Sequence, residues 1–110
     1  MNHWYAAYTR PAYELKAQKH LAFQQFETYL PIFRKKYIWR GRIEHESRPL
    51  FPRYIFIQMD TERDRWRNIL TTIGIISLVL SGDSPAPISV NIIEAIKASI
   101  TMTITVAITV

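Results

Sequence analysis

The residues best suited to chemistry lie between positions 34 and 42, where Arg-Lys-Lys-Tyr-Ile-Trp-Arg-Gly-Arg forms the most basic stretch of the chain. Lys and Arg side chains neutralise phosphates, and aromatic rings can stack on bases. Tyr37 and Trp39 are interleaved with these cations. The window is therefore a candidate nucleic-acid contact. The alternative is a solvated hairpin tip in which Gly41 supplies the turn.

Catalytic and metal-binding patterns are missing from the sequence. His3, His20 and His45 fall on separate predicted elements without metal-type spacing, and three glycines form no phosphate loop. Glu44 and Glu46 flank His45, but adjacent charges on a hairpin usually face solvent. Without cysteine, neither disulfides nor thiolate chemistry is possible. We expect no enzyme, no cofactor and no small-molecule substrate.

Length and charge narrow the class of protein. The 110 residues are enough for one domain with a modest core. A net charge of +5 indicates either a polyanionic partner or simple solubility. No run reaches the roughly 18 apolar residues that span a bilayer, and the N-terminus lacks signal-peptide features. We predict a cytoplasmic protein with no membrane partner.

The elements that must position these residues are organised around a strand predicted over Tyr54 to Met59. Its side chains alternate, with Tyr54, Phe56 and Gln58 on one face and Ile55, Ile57 and Met59 on the other. Both faces are largely apolar. Each must be covered by a helix of the same chain or by a partner protein.

Flanking patterns supply the remaining elements. Strands are predicted over residues 3–9, 26–38 with a break near Pro31, 43–47 and 75–80. Helices are predicted from Pro11 to about Gln24, from a capping box at 61–64 through 73, and after the cap Ser89. The order indicates an α+β fold in which a mainly antiparallel sheet is sandwiched by helices, as β-α-β-β-β-α-β-α.

Two motifs carry a resemblance to a known family. Pro-Leu-Phe-Pro-Arg-Tyr-Ile-Phe-Ile at 49–57 and Gln-Gln-Phe-Glu-Thr-Tyr-Leu-Pro at 24–31 resemble signatures of the NusG N-terminal domain family. The resemblance covers residues 4 to about 98 and implies the same fold. Gln25 replaces a usual Gly, at a cost of about 1 kcal/mol if that position is left-handed. Arg53 stands where many members have Gly or Asn.

The resemblance implies a transcription elongation and antitermination factor. Family members bind a coiled coil of the largest RNA polymerase subunit through an apolar patch and contact upstream or non-template DNA, which suppresses pausing. The polymerase patch would map onto Tyr8, Phe51, Tyr54 and Phe56. Charge and position assign the DNA contacts to Arg10, Lys16, Arg40 and Arg42. Because Arg40-Gly41-Arg42 precedes the signature, we favour the specialised RfaH-like branch.

The resemblance also sets the expected domain boundaries. Residues 1–99 form the family-like domain, and residues 100–110 alternate apolar and small polar side chains without charge. A linker and a KOW-type β-barrel would follow in the family, and this sequence contains neither, as in a truncated or altered member. The rival functions are a stand-alone basic RNA-binding module of ribosomal-protein type and a small α+β enzyme.

Overall fold

The structure is a computed structural model that describes residues 1–100. In chain order its elements are β1 (His3–Thr9), α1 (Glu14–Phe23), β2 (Glu27–Tyr29), β3 (Ile32–Trp39), β4 (Arg42–Pro49), β5 (Tyr54–Met59), a 3₁₀ turn (Trp66–Thr71), β6 (Ile75–Leu78), β7 (Leu80–Ser81), β8 (Ser84–Pro85) and α2 (Val90–Ile100). Every pairing between these strands is antiparallel. The predicted α+β fold class is confirmed. Of the alternating tail predicted over 100–110, residues 101–110 lie outside the described residues.

The central sheet has the strand order β2-β5-β1-β6, so the predicted strand at 54–59 is interior. One of its faces is the main core, because Ile55, Ile57 and Met59 are fully buried beside Tyr5 and Ala7 of β1. The covering side chains are Ala17 and Leu21 of α1 and Ile69 of the 3₁₀ turn. Alternation along β1 and β5 thus provides this face with a continuous apolar surface.

The opposite sheet face is covered by α2. Ile93 is fully buried against Trp4, Ala6 and Phe56. The helix begins where the sequence predicts, since the amide of Asn91 donates to the Ser89 hydroxyl at 3.2 Å. Both faces of the sheet are therefore covered by helices of the same chain, although α2 covers only part of its side.

The basic window forms a separate two-stranded hairpin, β3–β4, without a register shift. Arg40 and Gly41 occupy its two-residue turn with φ of 50° and 73°. Two positive φ values are characteristic of the tight turn that matches the twist of a hairpin. The predicted turn is confirmed, and the partner strand is longer than predicted. At the base, the Leu50 amide donates to the Pro31 carbonyl at 2.7 Å.

The first helix starts later than predicted. Ala12 has a φ of 63°, and the Tyr13 amide donates to the Arg10 carbonyl at 3.0 Å, which makes a turn of residues 10–13. The helix therefore begins at Glu14 without a side-chain cap, and the prediction of Pro11 in its first turn was wrong. Its end agrees with the sequence, because Gln25 follows with a left-handed φ of 69°.

The helix predicted for residues 61–73 is a short 3₁₀ turn, and the predicted capping box was wrong. Instead, the Asp60 carboxylate accepts the Glu62 amide at 3.0 Å, and the Asp64 carboxylate accepts the Asp60 amide at 2.7 Å. These bonds close a tight turn at residues 60–64, so that helical geometry begins only at Trp66. Ile69 is buried, whereas Ile73 is more than half exposed. Strand β6 also ends two residues before the predicted boundary.

Gly74 should be the least replaceable glycine among those described. Its φ is 89°, and a Cβ there would lie 3.1 Å from the Ala17 Cβ and 3.3 Å from the Tyr13 Cβ. Gly74→Ala should lower the free energy of unfolding by about 2 kcal/mol or more. Gly82→Ala is the matched control. Its φ is 64°, and a Cβ added there would have no atom within 4 Å, so only a backbone cost of about 1 kcal/mol is expected. If urea denaturation gave the two variants equal losses in the free energy of unfolding, close packing around Gly74 would not be the cause.

Gln25→Gly should stabilise the protein. Gln is strained at the left-handed φ of 69° and Gly is not. The greater freedom of Gly in the unfolded chain offsets part of the gain, so we expect about 0.5 kcal/mol in urea denaturation. Lys19→Gly, inside α1, is the control and should destabilise by about 1 kcal/mol. Destabilisation by Gln25→Gly would contradict the prediction.

Candidate functional site

Strand alternation brings the four predicted aromatic residues together at one end of a sheet face. Tyr8 lies directly opposite Tyr54 in the β1–β5 register, with ring centroids 4.6 Å apart. Phe51 precedes β5 and meets Phe56 at 6.0 Å, with the two rings at 88°. Edge-to-face contact of this kind is a favourable aromatic geometry. We call Tyr8, Phe51, Tyr54 and Phe56 the aromatic patch.

The four rings of the aromatic patch differ in exposure. Tyr8 is 38% exposed and Phe51 is 39% exposed, whereas Phe56 is only 8% exposed. Phe56 is buried because α2 places Ile93 against that part of the sheet face. The accessible surface of the patch is therefore made by Tyr8, Phe51 and Tyr54, and Phe56 supports Phe51 from beneath.

Tyr54 is further defined by its neighbours. A side-chain hydrogen bond with Tyr8, together with partial desolvation, raises the pKa of the Tyr54 hydroxyl above its usual value. A tyrosine hydroxyl is in any case uncharged at neutral pH, and the raised pKa keeps Tyr54 uncharged to a higher pH. An uncharged surface is suited to apolar contact with a partner.

Arg53 holds the turn that leads into the patch. Its φ is 71°, a left-handed conformation that Gly and Asn adopt more readily than Arg. Three hydrogen bonds fix the turn. The Arg53 Nε donates to the Thr9 carbonyl at 3.3 Å, the Arg53 amide donates to a Glu14 carboxylate oxygen at 3.3 Å, and the Thr9 amide donates to the Arg53 carbonyl at 2.9 Å.

Two further rings extend the aromatic cluster, although Trp4 is buried, and the sequence did not single them out as site residues. Tyr29 lies opposite Phe56 in the β2–β5 register and makes an edge contact with Trp4 at 6.5 Å. The Lys97 ammonium of α2 lies 5.7 Å from the Trp4 ring and 5.3 Å from the Tyr29 ring. A cation over two ring faces fastens α2 to the sheet. The strand break at Pro31, which fixes β2, was the signal that could have found Tyr29.

The four predicted DNA contacts form two groups. Arg10 follows β1, where its amide donates to the Gly74 carbonyl at 2.8 Å, and Lys16 lies 5.4 Å from the Tyr13 ring on α1. Arg40 and Arg42 lie at the tip of the β3–β4 hairpin. Arg40 and Arg42 are brought together across the hairpin turn, whereas Arg10 and Lys16 lie on different elements, Arg10 directly after β1 and Lys16 in α1.

The hairpin tip has the geometry of a stacking site. The Arg40 guanidinium lies 5.6 Å from the Trp39 ring, and Arg42 is directly opposite Trp39. Trp39, Arg40, Arg42 and Glu44 line a shallow cleft of about 350 Å³. An exposed indole with two flanking guanidinium groups can stack on a base and contact its phosphates.

Within residues 1–100, no three His, Cys, Asp or Glu side chains are grouped so that they could hold a metal ion. No helix in that range is long and apolar enough to cross a membrane.

Comparison with known proteins gives the family. A family model described as "Transcription termination factor nusG" matches residues 2–97. A relative from Halalkalibacterium halodurans, "Transcription termination/antitermination protein NusG", is 26% identical over 105 residues, covering 84% of this chain and 59% of its own length. A solved structure of Thermotoga maritima NusG shares the fold with a TM-score of 0.59 and 21% identity, over 83% of this chain and 52% of that one.

The chain thus spans little more than half the length of these relatives. The assignment to the RfaH-like branch stays a prediction. Since the family model covers nearly the whole of the described region, the chain belongs to the NusG family.

Proposed function

We propose that this domain is a transcription elongation and antitermination factor. Its aromatic patch binds the coiled coil of the largest RNA polymerase subunit, and its basic residues contact upstream or non-template DNA, which suppresses pausing. The observation that carries the proposal is the partly exposed cluster of Tyr8, Phe51 and Tyr54 on a sheet face that α2 leaves open. Membership of the NusG family supports it.

The patch has the features of a protein-binding surface. Tyr8, Tyr54 and Phe56 lie on two central strands, and Phe51, which precedes β5, is supported from below by Phe56. Rings that are already held in place lose little conformational freedom on binding. Tyr and other aromatic residues often supply most of the binding energy at such surfaces.

The charges beside the patch favour an acidic partner. Arg53 is adjacent to Tyr54, and Arg10 follows Tyr8 after one intervening residue. A helix pair that lays an apolar stripe on the rings and carries carboxylates at its border would complement these cations. Rim charges of this kind contribute to orientation and association rate, while the rings contribute most of the affinity.

The DNA contacts of the proposal fall on the two basic groups. Arg40 and Arg42 flank the exposed Trp39 at the hairpin tip, which favours an unpaired strand whose bases are free to stack. Arg10 and Lys16 lie near the start of α1 and not on the hairpin. They would contact phosphates. Their separation allows one strand and the adjoining duplex to be held at two places.

The second candidate function is a stand-alone RNA-binding module. The specific observation in its favour is the same hairpin tip, because Trp39 is 42% exposed and stacks as readily on an RNA base. This alternative assigns no role to the aromatic patch. Steep salt dependence together with indifference to patch substitutions would therefore favour it.

Tyr54→Ala and Phe51→Ala should each weaken binding to core RNA polymerase, or to its isolated coiled coil, by about tenfold or more, because each removes a ring from the exposed patch. Phe23→Ala is the matched control. Its ring is 90% exposed at the end of α1, so the substitution should leave affinity unchanged. Affinity is measured by titration with the full chain.

Circular dichroism must show that each variant retains the parent's secondary structure. Phe56→Ala is less informative, since it removes a buried ring and is expected to destabilise the fold by about 3 kcal/mol. Folded Tyr54→Ala and Phe51→Ala proteins that bind the polymerase like the parent would contradict the proposed interface. An equal loss of affinity in the Phe23→Ala control would show that binding is not specific to the aromatic patch.

A further inference from the structure

Glu14 is a buried acidic residue to which the proposed function gives no role. It is the first residue of α1, and only 7% of its surface is exposed. Within residues 1–100 it forms no ion pair. Removing a carboxylate from water is unfavourable unless hydrogen-bond donors replace the lost hydration. The groups that donate to Glu14 must therefore account for its place in the domain.

The amide of Arg53 is one such donor, 3.3 Å from a Glu14 carboxylate oxygen. The start of α1 also favours a negative charge, because the first amides of a helix have no partner within it. Arg53 is distant in the sequence and lies in the turn that precedes β5. Glu14 thus connects the start of α1 to a turn of the candidate interface.

This turn, at residues 51–54, has the features of a type II turn. The Tyr54 amide donates to the Phe51 carbonyl at 3.1 Å, and Arg53 has the third position with a φ of 71°. Pro52 has the second position, where Pro is favoured. The third position favours Gly because its φ is positive. An arginine is strained there, so contacts from outside the turn must hold it.

The ends of the same turn carry two rings of the aromatic patch. Phe51 is its first residue and Tyr54 its last, so a change in the backbone at Arg53 would alter the distance and angle between the rings. Thr9 supports Arg53 through its own backbone amide and carbonyl. Glu14 supports Arg53 through a side chain, and this is the support that a substitution can remove.

We propose that Glu14 is a positioning residue of the polymerase interface. Its carboxylate holds Arg53 in the left-handed conformation and thereby fixes Phe51 relative to Tyr54. The inference rests on the proposed function and adds to it a residue that does not touch the partner. Because Glu14 is buried, it acts through the turn. Without this contact the turn would be less ordered, and binding would have to restore its order at a cost in affinity.

A general role in stability makes a different prediction. Glu14→Ala would then lower the free energy of unfolding and leave the affinity of the folded protein unchanged. The positioning role instead couples Glu14 to Arg53. When Gly replaces Arg53, the positive φ no longer needs support, and Glu14 becomes dispensable for binding.

The test is a double-mutant cycle of Glu14→Ala and Arg53→Gly, in which the full chain is titrated against the isolated polymerase coiled coil. Glu14→Ala alone should weaken binding by about fivefold or more. In the Arg53→Gly background the same substitution should change the affinity by less than about twofold. Glu14→Gln keeps an oxygen that can accept the Arg53 amide, so this variant should retain most of the affinity.

Glu27→Ala is the charge control. It removes one carboxylate from an exposed residue of β2 that has no contact with the turn among the described residues, so the affinity should not change. Circular dichroism and urea denaturation must show that each variant is folded during the titration. If Glu14→Ala does not fold, Glu14→Leu takes its place, since it fills more of the same space and also lacks an acceptor.

Amide hydrogen exchange, measured by NMR, tests the turn without the polymerase. Glu14→Ala should accelerate exchange of the Tyr54 amide, whose bond closes the turn, by about tenfold or more. The Ile57 amide, in the interior of β5, should exchange as in the parent. In the Arg53→Gly background, Glu14→Ala should no longer accelerate exchange at Tyr54.

Three results would overturn the proposal. The first is an equal loss of affinity from Glu14→Ala in both backgrounds. The second is an unchanged affinity of Glu14→Ala for a coiled coil that the parent binds. The third is equal acceleration of exchange at Tyr54 and Ile57, which indicates a global loss of stability. If the parent does not bind the coiled coil, the proposed function fails, and exchange at Tyr54 alone decides whether Glu14 holds the turn.

Discussion

The structure depends on the pairing of β1 with β5, because this pair must bury apolar side chains on both of its faces. The face with Ile55 and Ile57 is closed by α1 and the 3₁₀ turn, and the face with Phe56 is closed by α2 over only part of its length. An eleven-residue helix cannot cover the whole sheet. The rings at the uncovered end remain partly accessible, so the candidate interface follows directly from the way the core is built.

The sequence predicted the elements whose geometry is local. Alternation in β5, the cap at Ser89 and the glycine turn of the hairpin each depend on neighbouring residues, and each is confirmed. The start of α1 and the helix after β5 were wrong, because turns held by backbone and carboxylate hydrogen bonds override helix propensity there. Nothing in the local pattern marks Asp60 and Asp64 as partners of the backbone.

The candidate site was predictable in membership and less so in detail. A period of two places Tyr8, Tyr54 and Phe56 on one sheet face, and the structure brings them together with Phe51. Which ring is exposed depends on where α2 packs on the sheet. Strand periodicity cannot predict long-range packing of this kind. The placement of both hairpin glutamates on the face opposite to Arg34 and Lys36 depends on register, which follows from a two-residue turn only once that turn is known.

The length of the hairpin turn is more tightly constrained than the residue types within it, because the turn length fixes the register of β3 against β4. Slipping β4 by one residue in either direction would place a glutamate opposite Lys36: Glu46 in one case and Glu44 in the other. Either slip would move both glutamates onto the face that carries Arg34 and Lys36. Evolution can therefore exchange Arg40 for other residues that tolerate a positive φ, whereas an insertion or deletion of one residue at this turn would neutralise that face while leaving the composition of the hairpin nearly unchanged.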